Sequence, residues 1–204
     1  MLRRELVLCG LGVGVASAGP ASAHPNPPPK QPGGALASRR VIFREEDGEH
    51  LVRRAGPMGG LPLTIKLDDR VGRSSQLFVF TETLSPGQTI PWHRHDTCEE
   101  VMLIEEGGVT VTVGMERAEA GPRGMAFMPQ GVWHSAINAS NHPVHITSLY
   151  SGHDFSRYMR AISVAPGQPI EPIDASQLSK LRAMGHATYW DTRLGPFPPG
   201  VARP

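Results

Sequence analysis

Hydrophobic and polar residues alternate in several short stretches of this chain, and turn-forming residues separate the stretches. The clearest case is VTVTV at 109–113, and alternation at every second residue is typical of a strand with one buried face. Many short strands divided by Gly- and Pro-rich turns indicate an all-β sandwich or barrel. We predict strands at Val41–Arg44, Leu63–Leu67, Gln76–Leu84, Glu100–Glu105, Val109–Val113, Met125–Met128, Val132–Ile137 and Val144–Tyr150.

Helical spacing is found only after the predicted strands. The stretch 174–184 begins with Asp174 as the predicted N-cap and is followed by Gly185 as the predicted C-terminal stop. The stretch 154–161 predicts a second short helix. In the longer helix, three apolar residues are expected on one side: Leu178, Leu181 and Met184.

The first 23 residues differ from the rest of the chain. Arg3 and Arg4 precede an apolar stretch at 6–18, and small residues follow at 21–23. This order is typical of a signal peptide, and the arginine pair also resembles a twin-arginine signal, although a general secretory signal fits nearly as well. We expect export to the periplasm or the medium. The apolar stretch is too short for a stable span, so no membrane anchor is expected after cleavage.

The rest of the chain divides into three parts. Residues 24–38 are rich in Pro and Gly and predict a flexible leader, while residues 39–165 contain the predicted strands and form the barrel. Residues 166–204 predict a helix and an extended tail. No internal repeat is visible, which favours a single barrel over a tandem pair.

The charge of the chain argues against some classes of partner. Its 20 Lys and Arg balance 19 Asp and Glu, for a formal net charge of +1. Neither a basic face for nucleic acid nor an acidic tail is expected. The pairs Arg39-Arg40 and Arg53-Arg54 are expected on the solvated surface.

Four side chains carry the candidate chemistry. His93 and His95 are two residues apart, so a strand would aim both imidazoles to one face. Glu100 follows after a short turn and His134 comes from a distant strand. Inside a barrel these groups can converge on one point, and three imidazoles with one carboxylate suit Fe, Mn, Ni, Co or Zn. Glu99 competes with Glu100 as the carboxylate, and alternation along the strand favours Glu100.

These residues resemble the two motifs of the cupin superfamily. The resemblance covers about residues 76–150 and implies a jelly-roll-like β-barrel that holds one divalent metal ion. The pattern departs in two places, because Gly124 is one residue nearer the proline than usual and Met125 replaces the usual Asp. The first motif is matched by Gly87, His93, His95, Glu100 and Gly107, and the second by Pro129, Gly131, His134 and Asn138.

Residue roles follow from the resemblance as expectations. It implies that His93, His95, Glu100 and His134 are the metal ligands and that Asn138 is structural. Cupins often dimerise through an extra N-terminal strand, and 41–44 is the candidate for a homodimer contact. Candidate groups for proton transfer are Glu82 and Glu99, and candidate pocket walls are Phe78, Phe80, Met102, Ile104, Phe127 and Tyr150.

The same resemblance implies a small-molecule substrate. The leading interpretation is an oxidoreductase of the dioxygenase type with Fe or Mn, while Zn, Ni or Co remain alternatives. A non-redox isomerase or lyase and a metal-containing binding protein without turnover are the alternative functions. The order of both motifs favours a metal site but does not separate these three.

Overall fold

The fold consists of two antiparallel β-sheets with two short helices. A computed structural model describes residues 42–54 and 58–190. The seven-stranded sheet has the order β11-β1-β2-β3-β10-β5-β8, and the five-stranded sheet has the order β12-β4-β9-β6-β7. The elements are β1 (Glu49–Arg53), β2 (Pro62–Leu67), β3 (Leu77–Leu84), β4 (Thr89–His95), β5 (Glu100–Glu106), β6 (Val109–Val113), β7 (Glu116–Ala120), β8 (Met125–Met128), β9 (His134–Ile137), β10 (Val144–Ser151), α1 (Asp154–Ala161), β11 (Ser163–Val164), α2 (Ala175–Met184) and β12 (Ala187–Tyr189).

Strand alternation builds the core between the two sheets. Every second residue of β3 and of β10 is buried, because successive side chains point to opposite faces of a strand. One buried cluster combines Met102 and Ile104 of β5 with Val109 of β6, so the two sheets pack face to face. The predicted all-β, jelly-roll-like architecture with a short C-terminal helical segment is confirmed.

Two motif residues join the sheets at their turns. The side chain of Asn138 is fully buried and donates hydrogen bonds to the carbonyls of Leu84 and His142, at 2.9 and 2.7 Å, as expected of a structural residue. Gly107 lies in the turn after β5 with a φ of 82°, and a Cβ there would come within 2.9 Å of the carbonyl oxygen of Pro143. Only glycine fits that turn without strain.

Both predicted helices are present. Helix α1 has the predicted bounds, and α2 begins after Asp174, whose side chain accepts a hydrogen bond from the backbone of Gln177 at 2.8 Å. Met184 was expected beside the packed leucines but is exposed. No helix of the described residues is long and apolar enough to cross a membrane.

The N-terminal prediction of a strand at 41–44 is wrong for residues 42–44, which are irregular; Val41 lies outside the described residues. The ammonium of Lys66 donates to the carbonyl oxygens of Arg44 and Asp47, at 3.1 and 2.9 Å, so these groups serve a side chain instead of a strand ladder. The homodimer contact expected through this segment stays a prediction. The predictions for residues 1–38 and for the tail from 191 also lie outside the described residues.

Five strands were not predicted as such. Strand β4 was recognised only through its two histidines, and the exposed β7 has no apolar alternation to mark it. The other three are β1, β11 and β12. Strand β12 pairs with β4, so the region after residue 165 contributes a strand to the five-stranded sheet as well as a helix.

A buried ion pair fixes α1 to the seven-stranded sheet. Arg160 of α1 donates to Asp68, which is fully buried, and its Nε donates to Glu49 of β1 at 2.8 Å. Burial alone would raise the pKa of Asp68, but the hydrogen bonds from Arg160 and from the backbone of Val71 and Arg70 lower it from 3.8 to about 2. The charged form of Asp68 is therefore stabilised by folding.

Replacing Asp68 with Asn should lower the free energy of unfolding by about 2 kcal/mol at pH 7. The pKa is lower in the folded chain, so this contribution is complete above pH 3.8 and is lost as the pH falls towards about 2. Urea unfolding at several pH values would measure the difference. Asp69→Asn is the matched control, since Asp69 is exposed. Equal stabilities of the two variants at pH 7 would contradict the prediction.

Candidate metal centre

Both sheets contribute to a buried cluster of three imidazoles and one carboxylate. His93 and His95 end β4, His134 begins β9 in the same sheet, and Glu100 begins β5 in the other sheet. None of the four is more than 4% exposed, and their potential ligand atoms all lie within 4.8 Å of one another. The spacing of two residues in β4 aims both of its imidazoles inward, as the sequence predicted. The four residues could hold a metal ion.

Backbone carbonyls fix the orientation of two of the rings. The Nδ1 atoms of His93 and His134 lie 2.8 and 2.9 Å from the carbonyl oxygens of Pro91 and Val132. Since a carbonyl can only accept, each Nδ1 carries a proton, and each ring in its neutral form presents a lone pair at Nε2. These two Nε2 atoms are 3.1 Å apart. Two lone pairs at that distance repel, so the donor set fits a cation that both rings ligate.

The protonation of the cluster also suits a cation. Burial, followed by the charges of His134 and His95, lowers the pKa of His93 well below its usual value, which favours the neutral ring that a metal requires. Burial alone would raise the pKa of Glu100, but the neighbouring imidazoles of His134 and His95 keep it well below the usual range. Glu100 is thus an anion beside three imidazoles.

The third imidazole is held by packing. The Nε2 atom of His95 lies 3.1 Å from Oε2 of Glu100, while its buried Nδ1 has no hydrogen-bond partner in the described part of the chain. The rings of Phe155 and Tyr150 meet this imidazole edge-on, at centroid distances of 4.6 and 5.0 Å. Helix α1 therefore orients a candidate ligand through Phe155.

A cavity opens beside the cluster. Tyr189 of β12 stacks on His93 at 5.1 Å between ring centroids, with 12° between the planes. Burial, together with the charge of Glu100, raises the pKa of Tyr150 well above its usual value. The hydroxyl of Tyr150 therefore keeps its proton and donates a hydrogen bond to the carboxylate of Glu100. The walls are largely aromatic and apolar, with two arginines and two carboxylates: Arg53, Met58, Phe80, Glu82, Ile90, Pro91, His93, Glu100, Tyr150, Phe155, Tyr158, Met159, Leu178, Arg182 and Tyr189.

The predicted pocket walls are divided between this cavity and other places. Phe80 and Tyr150 line the cavity, and Phe78 is buried behind them, stacked on both. Met102 and Ile104 do not line it, because the inward face of β5 packs them into the core beyond the cluster. Phe127 does not line it either: it is 46% exposed, because its neighbours Ala126 and Met128 take the inner positions of β8.

The two candidate proton-transfer carboxylates have different positions. Glu82 lies on the inward face of β3, lines the cavity and accepts a hydrogen bond from Arg53. Glu99 is exposed and points away, because alternation across β5 turns Glu100 inward. Arg53 was expected on the solvated surface, but it is buried by this ion pair and lies 5.8 Å from the Phe80 ring centroid.

Sequence reasoning missed four polar residues of the cavity. Arg53 comes from β1, Tyr158 from α1, Arg182 from α2 and Tyr189 from β12. None has a fixed spacing to the histidines. The apolar face of α1 was the one available signal, since a short helix that buries an aromatic face must cover something.

Known proteins resemble the central part of the chain. Residues 80–150 match the cupin domain family. A gentisate 1,2-dioxygenase of Ralstonia sp is 28% identical over 76 residues, which are 37% of this chain and 21% of that protein. The chain thus spans about a fifth of the length of this relative.

Two solved structures are similar to part of the chain at low sequence identity. A predicted oxalate decarboxylase from Thermotoga maritima is 16% identical with a TM-score of 0.48, over 55% of this chain and 99% of that one. A polyketide cyclase from Streptomyces resistomycificus is 18% identical with a TM-score of 0.47, over 54% of this chain and 78% of that one. The domain match covers both β4 and β9, which carry the histidine cluster. The family match identifies residues 80–150 of the chain as a cupin domain.

Proposed function

We propose that the chain is a metal-dependent oxidoreductase of the dioxygenase type that acts on a small organic substrate. The buried cluster of three histidines and Glu100, open to an adjoining cavity, is the observation that carries this proposal. The partial likeness to a gentisate 1,2-dioxygenase supports the reaction type. Isomerisation, elimination and binding without turnover are the alternatives that the experiment below must separate.

His93, His95, Glu100 and His134 would hold the ion, with Fe or Mn favoured over Zn, Ni or Co. When bound, such an ion supplies Lewis-acid and one-electron redox chemistry. One anionic ligand among neutral imidazoles leaves a net positive charge at the centre. That charge favours a substrate with an anionic or enolic oxygen.

The residues around the cluster would bind and orient the substrate. Aromatic side chains from β3, β10 and α1 exclude water from the inner end of the cavity. The Arg53–Glu82 pair offers hydrogen-bond donors and an acceptor on one wall, so Glu82 is the candidate that accepts a substrate proton. Tyr150 holds its proton against Glu100 and thereby keeps that carboxylate oriented.

The test begins with metal analysis of natively purified protein, followed by oxygen uptake with a panel of phenols and diketones. We expect Fe or Mn bound to the chain, and loss of substrate in air that stops under anaerobic conditions. Equal rates with and without oxygen would favour an isomerase or lyase. Saturable ligand binding without product formation would favour a binding protein.

Export is part of the same proposal. The arginine pair and apolar stretch near the N-terminus support it. A chain that is exported folded would take its ion in the cytoplasm, where Fe and Mn compete better with Cu and Zn. Cell fractionation of the wild type and of a variant with lysine at Arg3 and Arg4 tests the route, and unchanged export of the variant would contradict the folded route.

A further inference from the structure

We propose that the substrate is a small aromatic carboxylate and that Arg182 binds its carboxylate group. This inference names the substrate class of the cavity described above. It rests on the proposed function only for the place where the reaction occurs. Three features of the described residues carry it: the charge of the cavity, the position of Arg182 and the composition of the walls.

The charges that line the cavity are balanced except at Arg182. Arg53 is paired with Glu82, and Glu100 contacts His95 and His134. Within residues 42–54 and 58–190, no carboxylate forms a hydrogen bond or an ion pair with Arg182, and its buried Nε has no hydrogen-bond partner. A partly buried guanidinium with an unused donor favours an anionic ligand, because the ligand restores the hydrogen bonds lost on burial.

The guanidinium of Arg182 is held in a fixed place near the cluster. Its central carbon lies 4.2 Å from the ring centroid of Tyr189, and the same ring stacks on His93 at 5.1 Å. The guanidinium of Arg182 and the imidazole of the candidate ligand His93 therefore both contact the ring of Tyr189. A planar guanidinium stacked on an aromatic ring keeps its edge free for a carboxylate, which it can bind through two parallel hydrogen bonds.

The walls of the cavity that Arg182 shares with the cluster suit a flat apolar body. Phe80, Tyr150, Phe155 and Tyr158 present aromatic rings, and Met159 adds a thioether. Aromatic side chains favour stacked or edge-on contacts with a ligand ring, and thioethers pack well against ring edges. A ligand ring bound among these side chains would have its carboxylate at Arg182 and its opposite edge towards the cluster.

Binding of benzoate and of benzyl alcohol by calorimetry tests the inference. The two probes share a ring, and only benzoate has a carboxylate. We expect Arg182→Gln to weaken benzoate binding by about 10–100-fold, as for the loss of a charge-assisted hydrogen bond, and to leave benzyl alcohol binding unchanged. Arg182→Lys keeps the positive charge but loses the planar guanidinium, so its benzoate affinity should lie between those of the wild type and of Arg182→Gln. Arg157→Gln is the matched control, because Arg157 is exposed on α1 and pairs with Asp154 at 3.5 Å.

Three outcomes would overturn the inference. Benzoate binding that is unchanged in Arg182→Gln would mean that the carboxylate is bound elsewhere. Equal weakening of both probes would mean that Arg182 only supports Tyr189. Complete loss of benzoate binding by the wild type after chelation would mean that the ion alone holds the carboxylate. Metal content and oxygen uptake are measured separately, so a failure of the proposed function is recognised independently.

Discussion

The double substitution of His95 and His134 by alanine should remove essentially all transition metal from the purified chain. The change deletes two of the four donors that lie within 4.8 Å of one another, and the remaining pair comes from opposite sheets. Two donors alone cannot hold a divalent ion through purification against water and buffer. Elemental analysis per chain is the measurement, and oxygen uptake should be lost with the ion.

The control for this double variant is His142→Ala with His145→Ala, which also removes two imidazoles, but exposed ones. Its metal content should equal that of the wild type. Because His95 and His134 are buried, Glu100→Gln provides a second test that preserves side-chain volume. Its metal affinity should fall by more than the roughly 10–100-fold typical when only a residue that orients a ligand is replaced. Unchanged metal content in both variants would refute the site.

Replacing Phe155 with alanine should destabilise the protein by about 3–5 kcal/mol and also weaken the metal site. The ring is buried among Phe78, Tyr150 and Tyr158, and it is the nearest aromatic neighbour of His95 among the described residues. Its removal leaves a cavity and frees the one imidazole whose Nδ1 has no hydrogen bond to fix it. Urea unfolding and metal titration of the same samples measure the two effects.

Two control variants separate these effects from general sensitivity to phenylalanine loss. Phe127→Ala removes an exposed ring from β8 and should change the free energy of unfolding by no more than about 0.5 kcal/mol. Phe155→Leu keeps most of the volume and should restore most of the stability. If Phe155→Ala lowers stability but leaves metal affinity intact, then His95 does not depend on the helix for its orientation.

The fold and the donor cluster could be predicted because both rest on local rules. Alternation every second residue marked β3, β6 and β10, and the spacing of His93 and His95 followed from the same rule. Asp174 and Gly185 delimited α2 through capping chemistry. These signals depend only on neighbouring residues, so no knowledge of the tertiary arrangement was needed.

The cavity could not be predicted, because its walls are set by contacts between distant segments. Met102 and Ile104 lie on the same face as Glu100, yet they pack into the core with residues of other strands and do not line the cavity. Arg53 looked like a surface residue until β3 supplied Glu82 opposite it. Phe127 lies in β8, a strand of four residues that is too short for alternation to fix its face. In each case the deciding neighbour is remote in sequence.

The four donors all lie within the matched segment 80–150, whereas much of the cavity wall comes from α1, α2 and β12 after it. All four donors, but only part of the cavity wall, are thus encoded in the matched stretch of the gene. Insertions or exchanges after residue 150 can alter which molecule enters without altering the ion, as long as Phe155 still packs against His95. A chimaera that carries residues 154–190 of another cupin should therefore inherit a new ligand preference on an unchanged metal.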